Sequence, residues 1–306
     1  MNPSVDISTS ADHIAADRKL RCEAPRYEPG GGGINISAAL QELGRASTAV
    51  FPCGGPPGTM LLDLLDNRGI RHRAVETDVW TRMNIAAFDR STSTQYRFVM
   101  PGPRMDSTVS EACMKILREM EPRPDYIAVS GSFPPGISPD FIKDLKSTAA
   151  ECNARLLADT SAEPLKEAAR SGIYLIKPNM RELKEIVPDR DVSSEAGQEE
   201  ALRFLIEEYG CRTVILSLGA AGVLLGTPDM MERLRAPAVP ISSRVGAGDS
   251  MAAGILFGLS RNYDIRRAVI LGIAAGSAAV MTPGTELCRR EDVERLFEKM
   301  EEYSIS

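Results

Sequence analysis

Tyr126-Ile127-Ala128-Val129-Ser130-Gly131-Ser132 opens with four residues that read as one buried strand and ends in a small-residue loop. Tyr126–Val129 does not alternate polar with apolar, so both faces of such a strand must be covered. The pattern recurs. Leu156–Ala158 and Tyr174–Ile176 are further short apolar runs, each followed by a helical stretch, Glu163–Arg170 and Met180–Val187. A helix starting at Pro139 separates the first two strands. Helix Ser194–Tyr209 leads into a strand at Thr213–Leu216, and short strands follow at Val223–Leu225 and Glu232–Leu234. The tail reads as three helices, Asp249–Leu259, Ile265–Val280 and Arg290–Met300. Short strands alternating with helices predict an α/β fold, a mostly parallel sheet with helices on both faces. Ligands in such sheets sit beyond the carboxyl ends of the strands. The loops there are Ser130–Ser132, Lys177–Asn179, Ser217–Gly219 and the glycine loop at Gly246.

Toward the N-terminus the pattern loosens. Gly30–Gly33 precedes a helix, Ile34–Leu43, with Gly44 as its C-cap. Ala46–Phe51 reads as a strand and Gly58–Asn67 as a helix. Asn2–Asp6 looks like a loop, while Lys19–Tyr27 and Ile85–Met100 read as short strands, the latter broken by a polar turn. Segments at roughly 12–29 and 78–100 do not fit the alternation. They predict a small separate sheet, a lid on a single domain spanning 1–306.

Composition excludes several classes. The chain has 306 residues, 43% hydrophobic and 25% charged, an ordinary soluble balance. No apolar run reaches membrane-spanning length, and Met1–Asp17 has no apolar leader core, so neither a membrane protein nor a secreted one is expected. Six cysteines without a C-x-x-C pair and two distant histidines argue against zinc or a disulfide framework. Reduced thiols in a cytoplasmic protein are the expectation. A net charge of −6 lacks the basic footprint of a nucleic-acid binder.

Four stretches carry candidate chemistry. In Arg244-Val245-Gly246-Ala247-Gly248-Asp249-Ser250, glycines let backbone N–H groups approach a bound anion at a helix N-terminus. A carboxylate there suits proton abstraction from an attacking hydroxyl. The plainer alternative is a capped helix with packing glycines. The tetraglycine invites a dinucleotide reading, but no G-x-G-x-x-G spacing follows a buried strand. It reads either as a backbone surface for a polyol, with Asn35 one turn along, or as a hinge. Asn179 and Glu182 have the spacing of a capping box and equally of groups that orient metal-bound water. Ser217–Gly222 reads as a hairpin loop or as the floor for a nucleotide base.

Together these stretches resemble the ribokinase/PfkB family of carbohydrate kinases. Gly246–Asp249 matches the family's second signature. Pro29–Asn35, Ser130–Gly136, Lys177–Glu182 and Ser217–Gly219 match its other motifs in order, over nearly the whole chain. Within the family the likeness is to the PfkB-type 6-phosphofructokinase branch. It rests on Lys19–Cys22, Tyr27–Pro29, the four glycines, Trp80–Arg82, Tyr96–Gly102 and Gly284-Thr285. Relatives acting on fructose 1-phosphate or tagatose 6-phosphate typically carry lysine where this chain has Gly32.

The resemblance implies a ribokinase-like fold with a lid that also forms a homodimer. It implies an ATP-dependent kinase that phosphorylates the 1-hydroxyl of fructose 6-phosphate. The alternatives are a 1-phosphofructokinase or tagatose-6-phosphate kinase, and a catalytically weak sugar-phosphate-binding regulator. Asp249 would be the base, with the amides of Gly246, Ala247 and Gly248 as the anion hole. Asp6, Gly31, Gly32 and Asn35 would hold the sugar, and Arg82, Ser132 and Arg97, the last from a partner subunit, its phosphate. Lys177, Asn179, Ser217, Gly219 and Gly222 would line the ATP site. Glu182 would lie near Mg2+ through water, and a monovalent cation such as K+ is a further expectation. Lys19 resembles a position at a second, inhibitory ATP site.

Two departures stand out. Arg244 replaces the signature's usual threonine. Family members also carry a buried strand before the segment that here begins at Met1. Unless the chain starts further upstream, the expectation is a sheet short of one strand, with unpaired backbone groups and a poorly held Asp6.

Overall fold

The computed structural model describes residues 1–305, and side chains through residue 302. The central sheet follows the reading that began at Tyr126. β7 (Tyr126–Ser130), β8 (Arg155–Asp159), β9 (Leu175–Ile176) and β10 (Thr213–Ser217) run parallel. β11 (Val223–Thr227) and β12 (Met230–Leu234) extend it as antiparallel strands.

Successive side chains of a strand point to opposite faces, and each face has its own cover. Ile215 of β10 packs with Leu157 and Leu175 against α1 (Gly32–Glu42), α8 (Ala247–Ser260), α9 (Ile265–Met281) and α10 (Arg290–Ile305). Val214 and Leu216 pack with Leu156 and Ile176 against α4 (Phe141–Glu151), α5 (Ala162–Arg170), α6 (Met180–Ile186) and α7 (Glu195–Glu207). The predicted layers are therefore present, each strand feeding two cores.

A second sheet joins β1 (Ser4–Ala11), β2 (Arg26–Gly30), β5 (Arg82–Asp89) and β6 (Thr94–Phe98) in the order β2-β1-β5-β6. The segment read as a loop at Asn2–Asp6 thus runs into a strand at Ser4, paired on both sides. Its polar sequence hid it, since Val5 and Ala11 are its only buried apolar residues. The strand expected at Lys19–Tyr27 lies further on, at Arg26–Gly30, and residues 19–25 have no regular structure. Asp6 is well held, accepting hydrogen bonds from Ser4 Oγ at 2.7 Å and Asn84 Nδ2 at 2.8 Å. That corrects the expectation of a loose Asp6. Nearly all the large apolar side chains exposed among the described residues lie on or beside this sheet, including Trp80, Phe88, Tyr96, Phe98 and Met100.

β3 (Ala49–Cys53) and β4 (His72–Glu76) pair in parallel as a two-stranded sheet of their own, flanked by α2 (Gly55–Asn67) and α3 (Ser107–Arg118). Neither β4 nor α3 was anticipated. Between β3 and β7 lies a cavity of about 390 Å³, bordered by Met1, Thr48, Val50, Tyr126 and Ala128. Ser47 Oγ is buried beside it without a hydrogen-bond partner. Among the described residues β7 pairs with β8 alone and β3 with β4 alone, so the two sheets do not join across the cavity.

Candidate active site

The four parallel strands end at one place. Ser130 closes β7, Asp159 closes β8, Lys177 follows β9 and Ser217 closes β10, and all four border a cavity of about 340 Å³. Ser132, Asn179, Glu182, Gly248 and Asp249 border it too. The backbone ladder continues past the strand ends and fixes these loops. Lys177 N donates to Ala158 O at 3.1 Å, and Ser217 N donates to Pro178 O at 2.9 Å.

The head of α8 supplies the donors. Gly246 is the N-cap residue, left-handed with φ 75°, and no side chain caps this end. The left-handed backbone favours glycine there, and a Cβ would lie 2.7 Å from Leu287 Cδ2 and push that side chain aside. The amides of the first turn, including Ala247 and Gly248, are left with the positive end of the helix dipole. Arg244 is exposed beside them.

Asp249 sits in that first turn. Asn35 Nδ2 donates to one of its carboxylate oxygens at 2.8 Å, and Ser130 Oγ to the other at 3.3 Å. Burial, then the negative charge of Asp159, push the carboxyl up to about 6, against the pull of Asn35, Lys177 and Ser130. A carboxylate with that proton affinity is ionised at neutral pH yet basic enough to take a proton in a transition state. Lys177 Nζ, buried, lies 2.9 Å from Oδ1 of the half-buried Asp159. Burial alone would lower its pKa, but Asp159, Asp249 and Glu182 hold the ammonium above its ordinary value.

Asn179 and Glu182 form the capping box: Glu182 N donates to Asn179 Oδ1 at 3.0 Å, and Asn179 N donates to Glu182 Oε2 at 2.9 Å. Burial first, then Asp159, raise the Glu182 carboxyl. The cap is real, and the same two residues face the cavity.

The sugar-side residues are arranged differently. α1 starts at Gly32, whose backbone is pressed against the end of β7. A Cβ there would lie 2.2 Å from Ser130 Oγ and 2.7 Å from Gly131 N. Gly31, the N-cap of α1 with φ 112°, packs on Pro3. Arg82 donates to Met100 O at 2.9 Å and Asn2 O at 3.0 Å, and Asn2 Nδ2 donates to Ser132 Oγ at 3.0 Å. Arg82 and Ser132 are thus tied into one network, in which the buried Arg82 Nε has no partner. Asp6, Arg82 and Arg97 do not border the cavity, and Arg97 is exposed on β6. Gly219 and Gly222 lie on the turn after Ser217, outside its lining.

The roles of three residues here escaped the sequence reading. Asp159 follows an apolar run at a strand end, which was the available signal. Ser130 was placed in a ligand loop, but its bond to Asp249 left no mark in the sequence, and Asn84, bonded to Asp6 across the fold, offered no signal at all.

A family model described as pfkB family carbohydrate kinase matches residues 1–292. The chain belongs to the PfkB family of carbohydrate kinases. It is 40% identical over 298 residues to the ATP-dependent 6-phosphofructokinase isozyme 2 of Mycobacterium tuberculosis, covering 97% of this chain and 87% of that one. Phosphofructokinase-2 from Escherichia coli, solved with potassium, superposes with a TM-score of 0.93 at 34% identity over 98% of this chain and 97% of the other. The same E. coli protein has been solved with fructose-6-phosphate (TM-score 0.91, 33% identity, 98% and 97% covered) and in a tetrameric inhibited form. This PfkB kinase therefore has the ribokinase-like fold and is a phosphotransferase with a hydroxyl acceptor. Among the described residues no helix is long and apolar enough to cross a membrane.

Proposed function

We propose that this kinase transfers the γ-phosphoryl group of ATP to the 1-hydroxyl of fructose 6-phosphate. The observation that carries the reading is Asp249, a carboxylate raised to about 6 in the first turn of an uncapped helix, at the point where four parallel strands end. Phosphoryl transfer needs positioning and charge stabilisation more than covalent help. Asp249 takes the hydroxyl proton as the new bond forms, with Asn35 and Ser130 fixing its orientation. The amides at the head of α8 stabilise the charge on the transferring group. Lys177, Asn179 and Ser217, with Gly219 and Gly222 on the adjoining turn, hold the nucleotide.

The sugar site lies between Gly31, Asn35, Asp6 and the Arg82–Ser132 network. Gly32 supports fructose 6-phosphate over the alternatives, because relatives acting on fructose 1-phosphate or tagatose 6-phosphate typically carry lysine there, whereas here the backbone lies against Ser130 and Gly131. Arg97, exposed on β6, reaches the phosphate from a partner subunit, and the apolar face of the lid sheet supports a homodimer.

The residues present fit Mg2+ held mainly by ATP and water. Among the described residues no three metal-ligating side chains converge, and the raised Glu182 carboxyl beside Asp159 marks negative charge that a cation would relieve. The ion supplies charge neutralisation on the phosphates. A monovalent cation accords with the potassium in the E. coli relative. A cytoplasmic location accords with six free cysteines, five of them buried.

The test is ADP release measured with fructose 6-phosphate, fructose 1-phosphate and tagatose 6-phosphate. The highest kcat/KM is expected with fructose 6-phosphate. A higher value for either other sugar reassigns the substrate, and no turnover with any of them favours a binding protein.

A further inference from the structure

We propose that Asp159 is a positioning residue for phosphoryl transfer: it holds the Lys177 ammonium against the head of α8 and keeps it off the catalytic carboxylate Asp249. The inference rests on the reading of Asp249 as base and Lys177 as phosphate ligand.

The geometry begins with strand register. Ala158 of β8 faces Ile176 of β9, so the next pair along these parallel strands is Asp159 and Lys177. The amide bond from Lys177 N to Ala158 O locks that pairing. Lys177 Nζ lies 2.9 Å from Asp159 Oδ1, the side chains being 6% and 15% exposed. The same ammonium lies 3.6 Å from where a Cβ on Gly248 would be. A positive charge therefore sits directly at the amides that receive the phosphoryl group.

Lysine has a long, flexible stem, and a buried ammonium moves to whatever carboxylate is in reach. Asp159 at the end of β8 pairs with it directly, and Asp249 on α8 and Glu182 on α6, beyond ion-pair distance, add their charge to the same cavity. Toward Asp249, α1 and β7 present only the uncharged Asn35 and Ser130. Asp159 alone hydrogen-bonds the ammonium among the described residues. With Asp159 neutral, Lys177 would turn to Asp249 or Glu182. Pairing with Asp249 would stabilise its ionised form and make it a poorer base. Asp159 thus performs two linked tasks, orienting a cation toward the phosphates and protecting the basicity of its neighbour.

The experiment is a pH profile of kcat and kcat/KM for Asp159→Asn, Asp159→Glu, Lys177→Met and the double variant Asp159→Asn/Lys177→Met, with folding checked by thermal melting. Asp159→Asn is expected to lower kcat roughly 100-fold and to move the acid limb further below the parent position than the same change does in the Lys177→Met background, where only the direct charge of Asp159 on Asp249 is lost. Asp159→Glu should return the limb toward the parent position. In the Lys177→Met background no ammonium remains to be held, so adding Asp159→Asn should cost little more. This comparison also serves if Asp159→Asn alone does not fold, since no buried cation is left unpaired there. An unmoved acid limb, or losses that multiply in the double variant, overturns the proposal. Asp249→Asn is measured alongside. If it is inactive while the Asp159 variants behave as the parent, this inference alone fails; if it turns over normally, the base assignment fails.

Discussion

β7 has two unlike flanks. On one side the sheet continues through β8, β9 and β10, and the ends of these strands carry the candidate site. On the other, β3 stands across a cavity and, among the described residues, pairs with β4 alone. The two flanks share a helix, α1, which sends Asn35 to Asp249 and lines the cavity with Ile36 and Leu40. The contrast separates chemistry from packing. The paired flank places charged groups to within hydrogen-bond distance, because continuous ladders fix where each strand ends. The interrupted flank needs no such accuracy and leaves a void that packed interiors avoid.

The sharpest test of this division is at the paired flank. Asp249→Asn should reduce kcat roughly 10³-fold while ATP affinity, read by equilibrium binding, stays near the parent value. In the parent enzyme, turnover should fall as pH drops through about 6, where Asp249 takes up its proton. The sign for stability is opposite: its pKa is raised on folding from 3.8 to about 6, so the group's contribution to stability declines as pH rises across that window. Asp249→Asn should remove that slope.

Packing gives the next largest effect. Leu175, fully buried on β9, and Leu40, on α1 beside the cavity, lose the same atoms on truncation. Leu175→Ala should cost about 2–5 kcal/mol in urea unfolding, and Leu40→Ala about 2 kcal/mol or less, because its surroundings are already incomplete. Equal costs would mean that the cavity does not persist in solution. Smaller still, Ser47→Ala removes a buried hydroxyl without a partner and should stabilise the chain by up to about 1 kcal/mol, with kcat unchanged.

The second sheet, β2-β1-β5-β6, offers a test confined to low pH. Asp89 is 1% exposed, and bonds from the Ile14 amide and then the Ser91 hydroxyl, with further amides of Ser91 and Thr92, hold its carboxyl down to about 2. Its contribution to stability is full above 3.8 and disappears as pH falls toward about 2. Asp89→Asn should flatten the melting temperature across that range.

How much was legible in the sequence depended on which physical force shapes each part. Tyr126–Val129 and its successors were readable because strands covered on both faces must be apolar throughout, a demand that leaves a local mark. The head of α8 was readable because glycine adopts the left-handed backbone at Gly246 more readily than any other residue. β1 was not, since a polar strand in a half-exposed sheet is built by its partners β2 and β5 rather than by its own composition. Arg97 and Lys177 illustrate the same limit among charges. Both read as binding residues, yet Lys177 is buried against Asp159 and Arg97 is exposed on β6.

The sequence by itself determined the alternating layers, the order of the motifs and the family, because periodicity and glycine chemistry act over a few neighbouring residues. Tertiary structure alone decided that Asn35, Ser130, Asp159 and Lys177 surround Asp249, and that a cavity separates β3 from β7. Those facts depend on strand register and on contacts between residues far apart in the chain, and no local pattern encodes them.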